Sequence, residues 1–417
     1  MKTMKSLCGM LAVLAFTACS NDSDEAAGND NHIWHVSLTA SMGDATNRAL
    51  SADGVNIAAS FAVDDEVVVV DADGSTIVGT LKAQTAGEST TLSGVLDATS
   101  LAENEVVTLH YLSATPNYDG QKGTLAEISS YAVGTLKVKT VTPLTFESTS
   151  VSLAPQQSIT KFTFKDGSSD IIVKTFGIAA PGLVQKGSAT VGAVTGTLSS
   201  ASKEVYVALR NTSTTQQIYS FYIQDDDGNW YKGTKKATLA NGKYYTATVS
   251  LTKLPELTSS SEGTVGVIDG LPAIVISGNK AVALMNVGAL CPEHYGKYYT
   301  FANLSSLGLP TGWHVPTQAE LNALVGKTNA WVTQNGVAGR QYTIVTGKTL
   351  FFPAAGYDLD PSHSWTDVTT LGYYWSLTSA STELGYCYSF SFSSANNNTI
   401  SHDKDDGLTV RPFHSLP

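Results

Sequence analysis

Cysteine is scarce in this chain of 417 residues: four in all, with Cys8 and Cys19 near the start and only Cys291 and Cys387 in the body. Neither of the last two sits in a spaced framework, which excludes a disulfide-stapled scaffold. Whether they pair or stay as buried thiols is open at this level. Charge is also sparse. Only 15% of residues are Asp, Glu, Lys or Arg, and the net charge is −11, or −13 without Lys2 and Lys5. That balance argues against a nucleic-acid partner and against direct adsorption to anionic lipid. Beyond the N-terminus no apolar run is long enough to span a bilayer.

The motifs of common enzymes are missing as well. There is no Gly-x-Ser-x-Gly elbow, no His-Glu-x-x-His and no phosphate loop, and the eight histidines do not cluster at ligand spacing. His314 and His402 could meet in the fold, although single histidines are more often structural or exposed. The acidic turns Asp71-Ala72-Asp73-Gly74 and Asp225-Asp226-Asp227-Gly228 lack the alternating ligands and distal glutamate of a calcium loop. Turn chemistry explains them better. The sequence therefore reads as a non-enzyme with no metal and no cofactor.

What is present begins with an export signal. Met1-Lys2-Thr3-Met4-Lys5 is cationic, residues 6–16 are largely apolar but short, and Thr17-Ala18-Cys19 closes the run. Small residues before a cysteine resemble the lipobox of bacterial lipoproteins. That resemblance implies a signal peptide over 1–18, cleavage before Cys19, and acyl chains on its thiol that anchor the protein stably. Ser20-Asn21-Asp22-Ser23-Asp24-Glu25 opens a polar tether over 19–33 and is similar to the surface-export signal of lipoproteins in gut and oral Gram-negative anaerobes. The expected location is the outer face of the outer membrane, with a fimbrium as the further option.

From Trp34 the pattern is period-two alternation broken by turn residues. Strands are expected over 36–40, 67–70, 106–112, 136–141, 158–164, 171–176, 204–209, 217–224 and 243–251, with Tyr245, Ala247, Val249 and Leu251 on one face. Many short strands at modest spacing indicate β-sandwiches, and the length suits two, over 34–145 and 146–254. Pro255-Glu256-Leu257-Thr258-Ser259-Ser260-Ser261-Glu262-Gly263 then has the composition of a linker, placed at 255–265.

Asn47-Arg48-Ala49-Leu50, the strand start Phe61-Ala62-Val63-Asp64-Asp65-Glu66-Val67 and Asn241-Gly242-Lys243-Tyr244-Tyr245 before a closing strand, together with the lipoprotein start, resemble the fimbrillin family of surface pilus subunits over about 34–254. The resemblance implies two transthyretin-like sandwiches and other fimbrial subunits as partners. It also implies protease processing at Arg48, which would release the lipidated segment and open a groove for a neighbour's strand. An ordinary exposed arginine in a polar loop is the competing reading.

The last segment, 266–417, has a different character. Thr317-Gln318-Ala319-Glu320 is a capping box, with Leu321, Leu324 and Val325 on one helical face behind it. Strands are expected over 350–354, 373–377 and 386–392. The Gly312-Trp313-His314-Val315-Pro316-Thr317-Gln318-Ala319-Glu320 start of the helix, Tyr374-Trp375-Ser376 and Val410-Arg411-Pro412 resemble the C-type-lectin-like domains at the ends of bacterial surface proteins. Trp313, Trp375 and Phe352 read as core anchors. The calcium-ligating triplets of sugar-binding lectins do not occur, nor does the cysteine pair of formylglycine-generating enzymes.

The expected fold is thus mainly β: two sandwiches followed by an α+β lectin-like domain. Its candidate ligand surface is Tyr386, Tyr388, Asn396, Asn397, Asn398, His402, Asp403 and Lys404, where aromatic rings and adaptable polar groups alternate. A solvated hairpin with one strand in the core is the alternative. The expected role is a fimbrial tip or accessory adhesin for a host or bacterial glycan or protein, with a structural pilus subunit as the runner-up.

Overall fold

A computed structural model describes residues 32–42, 55–56, 60–187, 189–190, 192–359, 364–379 and 385–416. Cys19 and Arg48 lie outside them. The described chain is mainly β, arranged in several sheets.

The first sheet is ordered Val106–Tyr111, Glu66–Val70, Ile77–Ala83, Ser89–Asp97, Ile33–Met42, Ser150–Pro155 and Ala132–Val141, and the last of these pairs back with the first. The ring closes because every strand carries one apolar face. In Ile33–Met42 the residues Val36, Leu38, Ala40 and Met42 are buried while Ser37 and Thr39 are exposed. This strand lies inside the sheet, antiparallel to Ser89–Asp97 and parallel to Ser150–Pro155. The boundary expected at 145–146 falls within this sheet, because Leu144–Phe146 and Ser150–Pro155 both pair with it.

The second assembly is built mainly from Ser158 onward, with the upstream pair Val55–Asn56 joining it at Lys243 and Tyr244. Ser158–Asp166 pairs antiparallel with Glu204–Asn211 and parallel with Lys243–Lys253, while Trp230–Ala237, Gln217–Asp225, Val173–Ala179 and Ala193–Ser202 build the facing sheet. Phe162, Phe164 and Phe221 meet in the core at centroid separations of 5.3 to 5.6 Å. The strand expected over 171–176 begins at Val173, since Ser169–Asp170 turns back onto Ser158–Asp166. The two acidic turns are built by their own side chains: Asp71 Oδ1 accepts from the amides of Ser75 and Thr76, and Asp225 Oδ1 from that of Asn229. Gly74 and Gly228 follow at φ of 71° and 86°, which a residue with a Cβ adopts only at a cost.

The C-terminal body opens with the antiparallel strands Val265–Ile268, Leu271–Ser277 and Lys280–Ala283, and its last strand returns to lie beside the third. Lys280–Ala283 pairs with Phe413–Ser415, which also pairs with Trp313–His314. Between them run two antiparallel three-stranded sheets and the helix Gln318–Val325. Thr317 caps that helix as the sequence anticipates, its hydroxyl accepting from the Glu320 amide while the Glu320 carboxylate accepts from the Thr317 amide. Leu321 and Leu324 are buried, as are Trp313, Trp375 and Phe352.

The bodies are riveted together by buried polar contacts. A connection of the first sandwich reaches across so that Tyr118 sits in the second core and Asp119 meets both other bodies. Asp119 accepts from the amide and hydroxyl of Thr195, and its other oxygen lies 3.0 Å from His294 Nε2. Burial pushes its carboxyl up, but the bonds to His294 and Thr195 prevail and hold it down at about 2. Nearby, Glu293 is buried and accepts from the side-chain amides of Gln334 and Asn335, and Asn335 also reaches Ser220 of the second sandwich. Burial raises the Glu293 carboxyl above its usual range.

Candidate functional site

The segment singled out from sequence forms the middle strand and one outer strand of a three-stranded sheet, Gly372–Ser379, Tyr386–Phe392 and Asn397–Asp403. The middle strand is covered on both faces. Phe390 and Phe392 enter an aromatic core with Tyr342, Phe352 and Tyr374, with Phe352 and Tyr374 at 5.1 Å between centroids. On the other face Cys387 packs with Trp375, Leu408 and Val410. The alternation of aromatic and small residues therefore marks two buried faces towards the end of the strand, and only Tyr386 at its start is exposed. Cys387 and Cys291 are both free and lie in separate clusters.

Beneath the sheet, Arg411 is fully buried and anchors the end of the body. Its Nε donates to Asn286 Oδ1 at 2.7 Å, its Nη1 to the carbonyls of Ala283 and Leu284, and its guanidinium lies 4.5 Å from the Phe352 ring centre. Burial lowers it to about 10, which leaves it charged.

The outer strand Asn397–Asp403 pairs with Tyr386–Phe392, and one of its faces rests on the helix. Thr399 donates to Asn322 Oδ1 and accepts from Gln318 Nε2, and Asn397 Nδ2 reaches the Val325 carbonyl and the Tyr342 hydroxyl at 3.4 Å. Asn397 is thus a scaffold residue. His402 points to the opposite side, into Tyr357, Tyr373 and Trp375, with ring centres 4.9 to 6.1 Å away. Its Nε2 lies 3.0 Å from Asp406 Oδ2. Burial lowers its imidazole below the usual range against the pull of Asp406. His314 instead faces Glu320 at 3.0 Å, so the two histidines have different partners.

The eight candidate residues divide into three places. Tyr386 stands directly opposite Asp403 and Tyr388 opposite Ser401, which makes a small surface with Tyr386 and Asp403 exposed and Tyr388 half-buried. Lys404 closes this end, its amide donating to the Gly385 carbonyl and its ammonium lying 5.6 Å from the Phe301 ring centre. Asn396 and Asn398 are exposed at the other end, about 17 Å away along the strand at its usual rise. Asn396 belongs to the turn, its amide donating to Ser393 Oγ. Asn397 and His402 point inward.

Two exposed side chains escaped the sequence reading. Ile400 shows 38% of its surface on the outer strand, and Trp365 shows 46% beside Tyr298, with the Lys186 ammonium 5.6 Å from its ring centre. An isolated tryptophan in the polar run Ser362-His363-Ser364-Trp365-Thr366-Asp367 was the available signal.

Residues 330–413, which include this sheet, match a family profile described as a domain of unknown function, DUF8237. No curated protein matches the chain. Among solved structures, a protein of Bacteroides uniformis ascribed to cell adhesion is similar at a TM-score of 0.31 and 10% identity, over 52% of this chain and 96% of that one. The tip fimbrial protein Mfa3 of Porphyromonas gingivalis, with C-terminal truncation, is similar at 0.27 and 10%, over 54% and 96%. A fimbrial assembly protein of Parabacteroides distasonis is similar at 0.27 and 12%, over 52% and 90%.

Proposed function

We propose that the chain is a surface lipoprotein of fimbrial type in which two β-sandwiches carry a lectin-like C-terminal module, and that it acts as a tip or accessory adhesin for a glycan or protein. Cys19 carries the lipid anchor and the outer membrane is the site of display. One observation supports this reading most: the surface around Tyr386 and Asp403 is exposed on a sheet whose interior is fixed by Phe352, Phe390, Phe392 and Arg411. A rigid core under an exposed aromatic and a carboxylate is what a binding edge needs, because little order is lost on capture. The test is to screen the full chain against arrays of glycans and of host and bacterial surface proteins. A ligand whose binding falls when Tyr386 or Asp403 becomes alanine is expected; no bound ligand removes the adhesin reading.

The placement of Ile33–Met42 favours a second reading, a structural pilus subunit. This strand supplies backbone pairing on both sides, and Arg48 follows it by six positions. Cleavage at Arg48 and loss of the strand would leave the edges of Ser89–Asp97 and Ser150–Pro155 open to another subunit's strand.

A further inference from the structure

The connection between Val106–Tyr111 and Ala132–Val141 folds over the second sandwich instead of turning back directly. The Tyr118 amide donates to the Gln185 carbonyl at 2.8 Å, and the Gln121 amide to that of Thr195 at 3.0 Å. The Gln121 side chain is fully used: its Nε2 donates to the carbonyls of Tyr118 and Ala208, and its Oε1 accepts from the Ala208 amide. The connection is therefore pinned to a neighbouring body. Between its two arms lies a pocket of about 250 Å³, lined by 117–122 on one side, by Glu127, Ser129 and Tyr131 on the other, and by Ala208.

The lining carries an accessible aromatic ring and polar groups that the fold leaves unused. Tyr118 is buried in the second core, and its ring meets that of Tyr131 at 5.4 Å between centroids and 77° between planes. Tyr131 is thus held in place while remaining half-buried. Asn117 Oδ1 accepts from the Asp119 amide, which sets the turn and leaves the Nδ2 donors open. Glu127 Oε2 accepts from the Thr124 hydroxyl, and its Oε1 is open. The Lys122 ammonium and the Ser129 hydroxyl have no partner among the described residues, and Asn117, Lys122, Glu127 and Ser129 are all exposed. Asp119, by contrast, is committed to Thr195 and His294.

This set of groups decides what fits. One cation and one anion balance, so the pocket has no excess charge with which to hold a free ion, and Glu127 opposes a phosphate. An apolar ligand would cover the amide, ammonium and carboxylate without replacing their hydrogen bonds to water. A sugar ring meets each demand: its hydroxyls accept from Asn117 and Lys122 and donate to Glu127 and Ser129, and its C–H face lies on the exposed part of Tyr131. Pockets for drug-sized ligands run from about 300 to 1,000 Å³, so this volume suits a single ring.

We infer that the pocket between Asn117 and Tyr131 binds one neutral pyranose unit of a glycan, at a site separate from the Tyr386 and Asp403 surface. It is built by the two sandwiches, so it stands whether or not the C-terminal body captures a ligand of its own.

The test is saturation-transfer NMR on the full chain with the methyl glycosides of glucose, galactose, mannose and N-acetylglucosamine, beside methyl glucuronide and glutamine as charged and zwitterionic probes. Transfer to at least one neutral glycoside is expected. Its affinity should fall about tenfold or more in Glu127→Gln, which removes a charged acceptor, and in Asn117→Asp, which keeps the turn but removes the donors. Both variants should melt like the wild type, and Glu127→Gln decides alone if Asn117→Asp melts lower. No transfer to any neutral glycoside overturns the inference, and so does an affinity undiminished in Glu127→Gln. Tighter binding of the glucuronide or of glutamine than of every neutral glycoside also overturns it, because the charged groups would then select the ligand.

Discussion

Asp119 Oδ2 lies 3.0 Å from His294 Nε2, joining a connection of the first sandwich to the C-terminal body, while Asp119 Oδ1 accepts from Thr195 of the second. One carboxylate therefore holds three parts of the chain. On the proposed reading, such a contact keeps the C-terminal body fixed relative to the sandwiches that carry it.

Its depressed pKa makes this junction acid-sensitive. The carboxyl titrates at about 2 in the folded chain against 3.8 unfolded, so its contribution is fully present above about pH 4 and is lost as the pH falls towards 2. The difference corresponds to stability on the order of 2 kcal/mol. Asp119→Asn should therefore be less stable than the wild type at pH 6 in urea unfolding, and the gap should narrow between about pH 4 and pH 2. A gap independent of pH would show that the charge of Asp119 is not what stabilises the contact.

Arg411 presents a different balance. Among the described residues it is buried without a carboxylate partner, and its charge is met by the Asn286 side chain, two carbonyls and the Phe352 ring. Arg411→Met removes the donors and leaves those oxygens buried, and should cost about 3 to 5 kcal/mol in chemical denaturation. Arg411→Lys keeps the charge but not the planar fork, and should recover only part of that loss.

The helix cap gives a smaller effect. Thr317→Ala removes the acceptor for the Glu320 amide and should lower stability by about 1 kcal/mol. Ligand capture at Tyr386 should be unaffected, since the helix touches the outer strand through Gln318 and Asn322 rather than through its cap.

If the pilus reading holds, surface preparations should show polymer ladders that vanish in Arg48→Ala. Ladders that persist in that variant would separate assembly from processing at Arg48.

Legibility in the sequence followed the strength of local signals. Ile33–Met42 and Lys243–Lys253 were readable because each alternates over many residues against one core. The helix was readable because Thr317 and Glu320 form both halves of its cap. Ile77–Ala83, Ser89–Asp97 and Ser150–Pro155 were not, because the Gly79-Thr80 pair in the first and the Ser and Thr positions of the other two resemble loop composition until paired with neighbours. The candidate site was legible as a segment but not as a surface. His402 looks like a ligand group in one dimension, yet folding turns it into Tyr357, Tyr373 and Trp375, and Asn397 is drawn to the helix end. Such inward turns depend on residues far away in the chain.

The central claim, that the Tyr386 and Asp403 surface captures a ligand, is tested most directly by titrating an array-identified ligand against the full chain and its Tyr386→Ala variant. Because Tyr386 is exposed, its loss should leave the melting temperature unchanged while weakening binding by about tenfold or more, as for an aromatic hot spot. Equal affinity of the two proteins would contradict the account.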